Sequence, residues 1–124
     1  MIDLNVNTSQ RKKNIQRCRD NGILLPTYAQ MRNPALVPDA IKQELGNIGL
    51  WDVHVRNLFR INWHNEPTDK GGSFGGVNFI ELPRAITGTK ARIVGIVGKW
   101  FPTGAHKVGP AISCLLPELV TGRV

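Results

Sequence analysis

NFIELPRAITGTKARIVGIVGKWFPTGAHKVGPA, residues 78–111, is the stretch whose reading decides the fold of this chain. Residues 79–82 read as a short strand and 83–88 as a turn or single helical turn. The β-branched run at 91–98, ARIVGIVG, is suited to a buried strand. Beyond GKWFPTGAHKVG, residues 111–120 are apolar on nearly every face, the pattern of a helix packed between a sheet and other elements. Pro110 is tolerated in a first helical turn, where its missing N–H has no intrahelical partner. Pro117 is expected to bend or end the helix near Leu116. Lys107 therefore falls at or just before a helix start, behind a strand and a tight loop.

That position bears on the chemistry of the amine. A helix N-terminus carries a partial positive charge and free N–H groups, which disfavour a neighbouring ammonium. Partial burial beneath Trp100, Phe101, Val108 and Ile112 would act in the same direction. A neutral lysine amine can attack a carbonyl, as a Schiff-base lysine must. The plainer reading, a solvated charge in a first helical turn, stands beside it.

Residues 78–111 resemble the opening of the fold-type II pyridoxal-phosphate enzymes, the group of cysteine synthase, threonine synthase and the tryptophan synthase β-subunit. There a PLxxL-like segment leads to a strand that begins near an Ala-Arg/Lys-Ile/Val pair, and a PTG-[SA]-[FHV]-K turn delivers the cofactor lysine to a helix start. The matching elements here are Ile80-Glu81-Leu82-Pro83, the strand at 91–97, and Pro102-Thr103-Gly104-Ala105-His106-Lys107. The chain is also similar to a cysteine-synthase-like or tryptophan-synthase-β-like branch that carries an N-terminal extension before this core.

The resemblance implies an α/β fold, with residues 1–77 as an irregular, partly helical extension and 78–124 as the start of the cofactor-binding core. It implies that Lys107 forms the internal aldimine with pyridoxal 5'-phosphate and later shuttles the proton at the substrate's Cα. Thr103, Gly104, Ala105 and His106 would shape the turn, with His106 near the cofactor phosphate. The implied activity is β-elimination or β-replacement on a small amino acid, by a cytoplasmic lyase or transferase that works as a homo-oligomer or with a complementary subunit. Two departures leave the substrate open: Gly98-Lys99 replaces the strand-end KxE, and Val108-Gly109 stands where Asp-Arg or Asn often follows the lysine. In that group an Ser/Thr-x-Gly-Asn loop, a glycine-rich phosphate cup and a residue meeting the pyridine nitrogen all lie downstream of the lysine. The expectation is thus an N-terminal portion that alone binds the cofactor weakly and does not turn over.

The rest of the chain is less directive. Its 124 residues, 41% hydrophobic and 20% charged, suit one small domain. No apolar run approaches the ~18 residues of a membrane span, and MIDLNVNTSQ lacks the form of a secretory signal. Cys18 and Cys114 are isolated, with no spacing that outlines a zinc site or disulfide framework. The net charge of +7 is concentrated in residues 11–19, expected to form a short basic helix over 10–19 capped by Thr8 or Ser9 and stopped at Asn21-Gly22. A solvated helix face or a contact with an acidic partner explains this cluster at least as well as nucleic acid does, and the alternative it leaves is a non-catalytic basic domain that binds nucleic acid or a partner, with affinity that falls as salt rises. After Pro26 the sequence reads as extended, and DAIKQELGNIGL after Pro38 reads as a helix with Ala40, Ile41, Leu45 and Ile48 on its apolar face. Residues 51–65 mix aromatics and bases without a clean period, as in segments that wrap over another domain. DKGGSFGGVNF at 69–79 has neither the GxxxxGK[ST] nor the GxGxxG arrangement and reads as a linking loop rather than a phosphate cradle.

Overall fold

The computed structural model describes residues 5–64 and 74–124. Residues 69–73 of the glycine-rich loop expected at 69–79 lie outside them. The first helix, α1 (Thr8–Asp20), is capped by Asn7, whose side chain accepts the Gln10 N–H at 3.1 Å. The cap thus falls one residue before the expected Thr8 or Ser9, and Gly22 in the left-handed region follows the helix end.

The segment after Pro26 is not simply extended. Thr27 and Gln30 form a reciprocal capping box that starts α2 (Tyr28–Arg32), and the Asn33 side chain then caps a 3₁₀ helix at Pro34–Leu36. The T-x-x-Q spacing satisfies two orphan N–H groups locally, which is enough to hold one helical turn. Helix α3 (Asp39–Leu45) forms as its periodicity predicts, burying Ile41 and Leu45 while leaving Ala40 exposed.

Within the described part of 51–65, residues 51–54 and Trp63 are exposed, but the middle turns into the core. Val55–Arg60 is a 3₁₀ helix, and Phe59, Arg60, Ile61 and Asn62 are all buried. Phe59 joins Val37, Ile41 and Leu45 in one apolar cluster. Ile61 joins Phe101, Ile112 and Leu116 in a second, against which Leu25, Met31, Leu58 and Val108 pack. Between them the Arg60 guanidinium donates to the Leu45 and Ile48 carbonyls and to Asn57 Oδ1. Burial pushes the Arg60 pKa below its ordinary value, and the charge of Asp52 opposes part of that shift.

Residues 79–96 build a hairpin: β1 (Phe79–Leu82), the single turn α4 (Arg84–Thr87) and β2 (Ile93–Ile96). The strands are antiparallel, pairing Phe79 with Ile96, Ile80 with Gly95, Glu81 with Val94 and Leu82 with Ile93. The molecule therefore combines helices with a small antiparallel sheet. The buried strand expected at 91–98 is shorter and exposed along its whole length, because no third strand and no covering layer meets either face among the described residues. One face carries a surface pair, Arg92 to Glu81 at 3.0 Å, with Arg92 also over the Phe79 ring.

Helix α5 (Val108–Thr121) starts directly after Lys107, as expected, and runs through Pro117 instead of ending there. The cost of a proline at this position is confined to one missing N–H and a local clash, and the Thr121 hydroxyl closes the following turn by donating to the Pro117 carbonyl. Only one side of α5 is covered: Ile112 and Leu116 are buried, while Leu115 and Val120 are about half exposed.

The far end of α5 is tied to α1. Asn7 N–H donates to the Thr121 carbonyl at 2.7 Å, and the buried Asn14 amide donates to the Leu119 carbonyl at 3.1 Å and the Val124 carbonyl at 2.6 Å. The bonds to Thr121 and Leu119 reach carbonyls in the last turn of α5, where intrahelical partners run out. Gly122 ends α5 at φ 73°, and a Cβ there would lie 2.5 Å from the Asn7 carbonyl oxygen and 2.6 Å from the Arg11 nitrogen. Gly88 has a similar φ of 65° but open space around it. We therefore expect Gly88→Ala to cost about 1 kcal/mol, the left-handed strain alone, and Gly122→Ala to cost clearly more; urea denaturation followed by circular dichroism gives the comparison, and equal losses would mean that the α1–α5 contact is not tight.

Candidate functional site

The loop between β2 and α5 carries every residue that the sequence marks as functional. It is held at its start and in its middle. Val97 N–H donates to the Asn78 carbonyl at 2.9 Å, closing the hairpin, and Phe101, only 3% exposed, plants the middle of the loop in the second apolar cluster. Pro102 opens a 3₁₀ turn at Pro102–Gly104.

Within that turn the backbone is strained. Thr103 has φ 63° and ψ 12°, the only non-glycine residue with positive φ among the described residues. A β-branched residue rarely adopts this conformation. It is held there by a bond from its N–H to the Leu50 carbonyl at 3.0 Å, so the N-terminal half of the chain fixes the turn. Gly104 follows at φ 67°, with Trp51 so near that an added Cβ would approach its Cζ2 to 3.2 Å. Glycine also lets the loop fold back on itself: a Cβ on Gly98 would lie 2.9 Å from the His106 Cβ.

His106 is placed by aromatic contact. Its ring stacks on Trp63 with centroids 5.7 Å apart and planes 28° apart, and Trp63 in turn meets Phe101 edge-on at 4.9 Å. Beside them a cleft of about 460 Å³ is lined by Tyr28, Arg32, Asn62, Trp63, His106 and Ser113, among others. Arg32 makes no ion pair among the described residues, so the cleft has a cation available for an anionic group.

Lys107 occupies the N-cap position of α5, as its spacing predicts, but its side chain is exposed and does not line this cleft. The apolar cover expected from Phe101 and Ile112 goes to the core instead, since both are buried in the second cluster. Thr103, Gly104, Ala105, His106 and Lys107 thus form one continuous turn, in which His106 faces the cleft and Lys107 faces solvent. The start of α5 offers few free donors: the N–H groups of Val108, Gly109 and Ala111 donate to the Ala105, His106 and Lys107 carbonyls, and Pro110 has none.

Sequence reasoning missed Trp51, Trp63 and Arg32 as parts of this site. Trp51 meets Gly104, and Trp63 and Arg32 share a cleft with His106, each more than 40 residues away along the chain, and no local spacing marks such contacts. Among the described residues no group of His, Cys, Asp and Glu could hold a metal ion, and no helix is long and apolar enough to cross a membrane. Comparison with protein-family models, curated proteins and solved structures finds no match for this chain.

Two substitutions test whether the loop is held as described. Thr103→Gly relieves the left-handed strain and is expected to raise stability by up to ~1 kcal/mol. Gly98→Ala should lower it by about 1–3 kcal/mol, because the new methyl group must displace His106 from Trp63. Thermal melting reads both, and a Gly98→Ala protein as stable as the parent would show that the loop and His106 are not in close contact.

Proposed function

We propose that this chain carries the cofactor lysine of a pyridoxal-phosphate-dependent enzyme of the fold-type II group, acting by β-elimination or β-replacement on a small amino acid in the cytoplasm. The observation that carries the reading is the placement of Lys107: a primary amine at the head of a 14-residue helix, delivered by a strained, glycine-dependent PTGAHK turn behind a strand. Strain of this kind persists where surrounding contacts over-determine a geometry, and it is concentrated at functional turns.

The residues present suit such a cofactor in part. An open amine suits attachment to an aldehyde. The phosphate finds little at the start of α5, where the first-turn N–H groups are already taken, so in this reading its contacts fall to the side chains of Arg32 and His106 in the adjoining cleft. When bound, the cofactor supplies an electron sink for the carbanion left when the substrate loses its Cα proton. Lys107 Nζ takes that proton and returns it, while the ring of Trp63 keeps His106 oriented toward the cleft.

The test is addition of pyridoxal phosphate, with visible absorption followed by borohydride reduction and peptide mapping. The expected result is a weak, saturable band that is lost in Lys107→Ala, with the label on Lys107. Lys90 and Lys99 are also exposed, so a label spread evenly over the three would mean that Lys107 has no special reactivity and would overturn the proposal.

A second reading rests on α1, whose Arg11, Lys12, Lys13, Arg17 and Arg19 are all exposed, while Asp20 accepts a bond from Gln16. In that reading the helix contacts nucleic acid or an acidic partner. Binding of single-stranded RNA that falls steeply with added salt, together with no cofactor band, is the outcome that would favour it.

A further inference from the structure

A groove of about 610 Å³ runs between α1 and α5, floored by Leu58, Ile61 and Ile112. It lies within the ~300–1,000 Å³ range of small-molecule sites. Its lining is almost wholly apolar and includes no acidic residue. The few polar groups in it divide into two kinds. The Asn14 and Asn57 amides are fully engaged: Asn14 donates to the Leu119 and Val124 carbonyls and accepts from Gln10, and Asn57 donates to the Gly49 and Asp52 carbonyls and accepts from Arg60. Arg17 and His54 are not. Arg17 makes no ion pair among the described residues. His54 Nδ1 accepts the Arg56 N–H at 3.2 Å, so its neutral ring carries its proton on Nε2 and has that donor to offer.

We infer that this groove is a binding site for a single-chain amphiphile, an aliphatic carboxylate whose chain lies along α5 and whose head meets Arg17 and His54. The inference follows from an apolar wall that has an exposed cation, Arg17, in its lining. A neutral apolar ligand would gain nothing from the Arg17 charge, and a compact polar ligand would meet a wall that cannot bond to it. An anionic head on an apolar chain matches both parts, and the guanidinium favours a carboxylate geometrically as well as by charge. The inference does not rest on the proposed cofactor chemistry, since neither Lys107 nor His106 lines the groove.

The two cysteines provide the assay. Cys18 lines the groove and is partly buried, whereas Cys114 is exposed and lies outside its lining. Alkylation of the two thiols in the intact chain is followed by mass spectrometry with decanoate below its micelle concentration. The expected result is saturable protection of Cys18 with Cys114 unchanged. Decanol, of matched length, is expected to protect at least about tenfold more weakly, and each methylene removed from the carboxylate should weaken protection by up to about fourfold. Arg17→Ala should remove the difference between acid and alcohol, and Ala111→Trp, at an exposed position lining the groove, should abolish protection while leaving the helical circular-dichroism signal intact. Equal protection by decanol, equal protection of Cys114, or protection by phosphatidylcholine vesicles without free carboxylate would each overturn the inference.

Discussion

A buried guanidinium holds the irregular half of this molecule together. Arg60 is 3% exposed, and its charge is met by the carbonyls of Leu45 and Ile48 and the side-chain oxygen of Asn57. Burying a cation this way is costly unless its donors are used. The bonds to Leu45 and Ile48 join the end of α3 to the loop beyond it, and Asn57 extends the network to the Gly49 and Asp52 carbonyls. Phe59 and Ile61, on either side of Arg60, can then enter two different apolar clusters. One short 3₁₀ segment thus does the work that a regular sheet would do in a larger domain.

The candidate site inherits its geometry from this arrangement. Phe101 is packed against Ile61, and the Thr103 N–H is bonded to Leu50, so both fixed points of the loop belong to surfaces that the Arg60 network orders. Trp63, two residues beyond Ile61, supplies the ring that His106 stacks on. The result is a turn whose rigidity comes from distant aromatic and backbone contacts, with the lysine beyond it left free in solvent.

How much of this was legible in the sequence depended on whether the deciding interactions were local. Helix α3, the strands at 79–82 and 93–96, and the start of α5 at Lys107 follow from periodicity, β-branching and proline placement, all properties of a few neighbouring residues. The capping box at Thr27 and Gln30 was equally local and is readable as T-x-x-Q. Arg60 was not legible, since a base in an aromatic-rich stretch gives no sign that the Leu45 and Ile48 carbonyls, well back along the chain, will accept from it. The exposure of β2 was hidden for a related reason: a run of Ile and Val specifies a strand suited to burial, but whether anything covers it depends on contacts outside the run. The exposure of Lys107 follows from the same limit, because its apolar neighbours in sequence, Phe101 and Ile112, turn inward to Ile61 and Leu116.

The bonds that tie α1 to α5 also have a kinetic meaning. Asn14 meets acceptors 105 and 110 residues further along the chain, so this contact closes one of the longest loops available to the molecule. Closing such a loop carries an entropic cost that local helices and the hairpin do not face, and contacts of this separation form late on the folding path. Interactions that form after the transition state govern how fast a protein comes apart rather than how fast it assembles. The α1–α5 contact is therefore the molecule's latch: loosening it shortens the lifetime of the folded state while leaving the rate of reaching it almost unchanged.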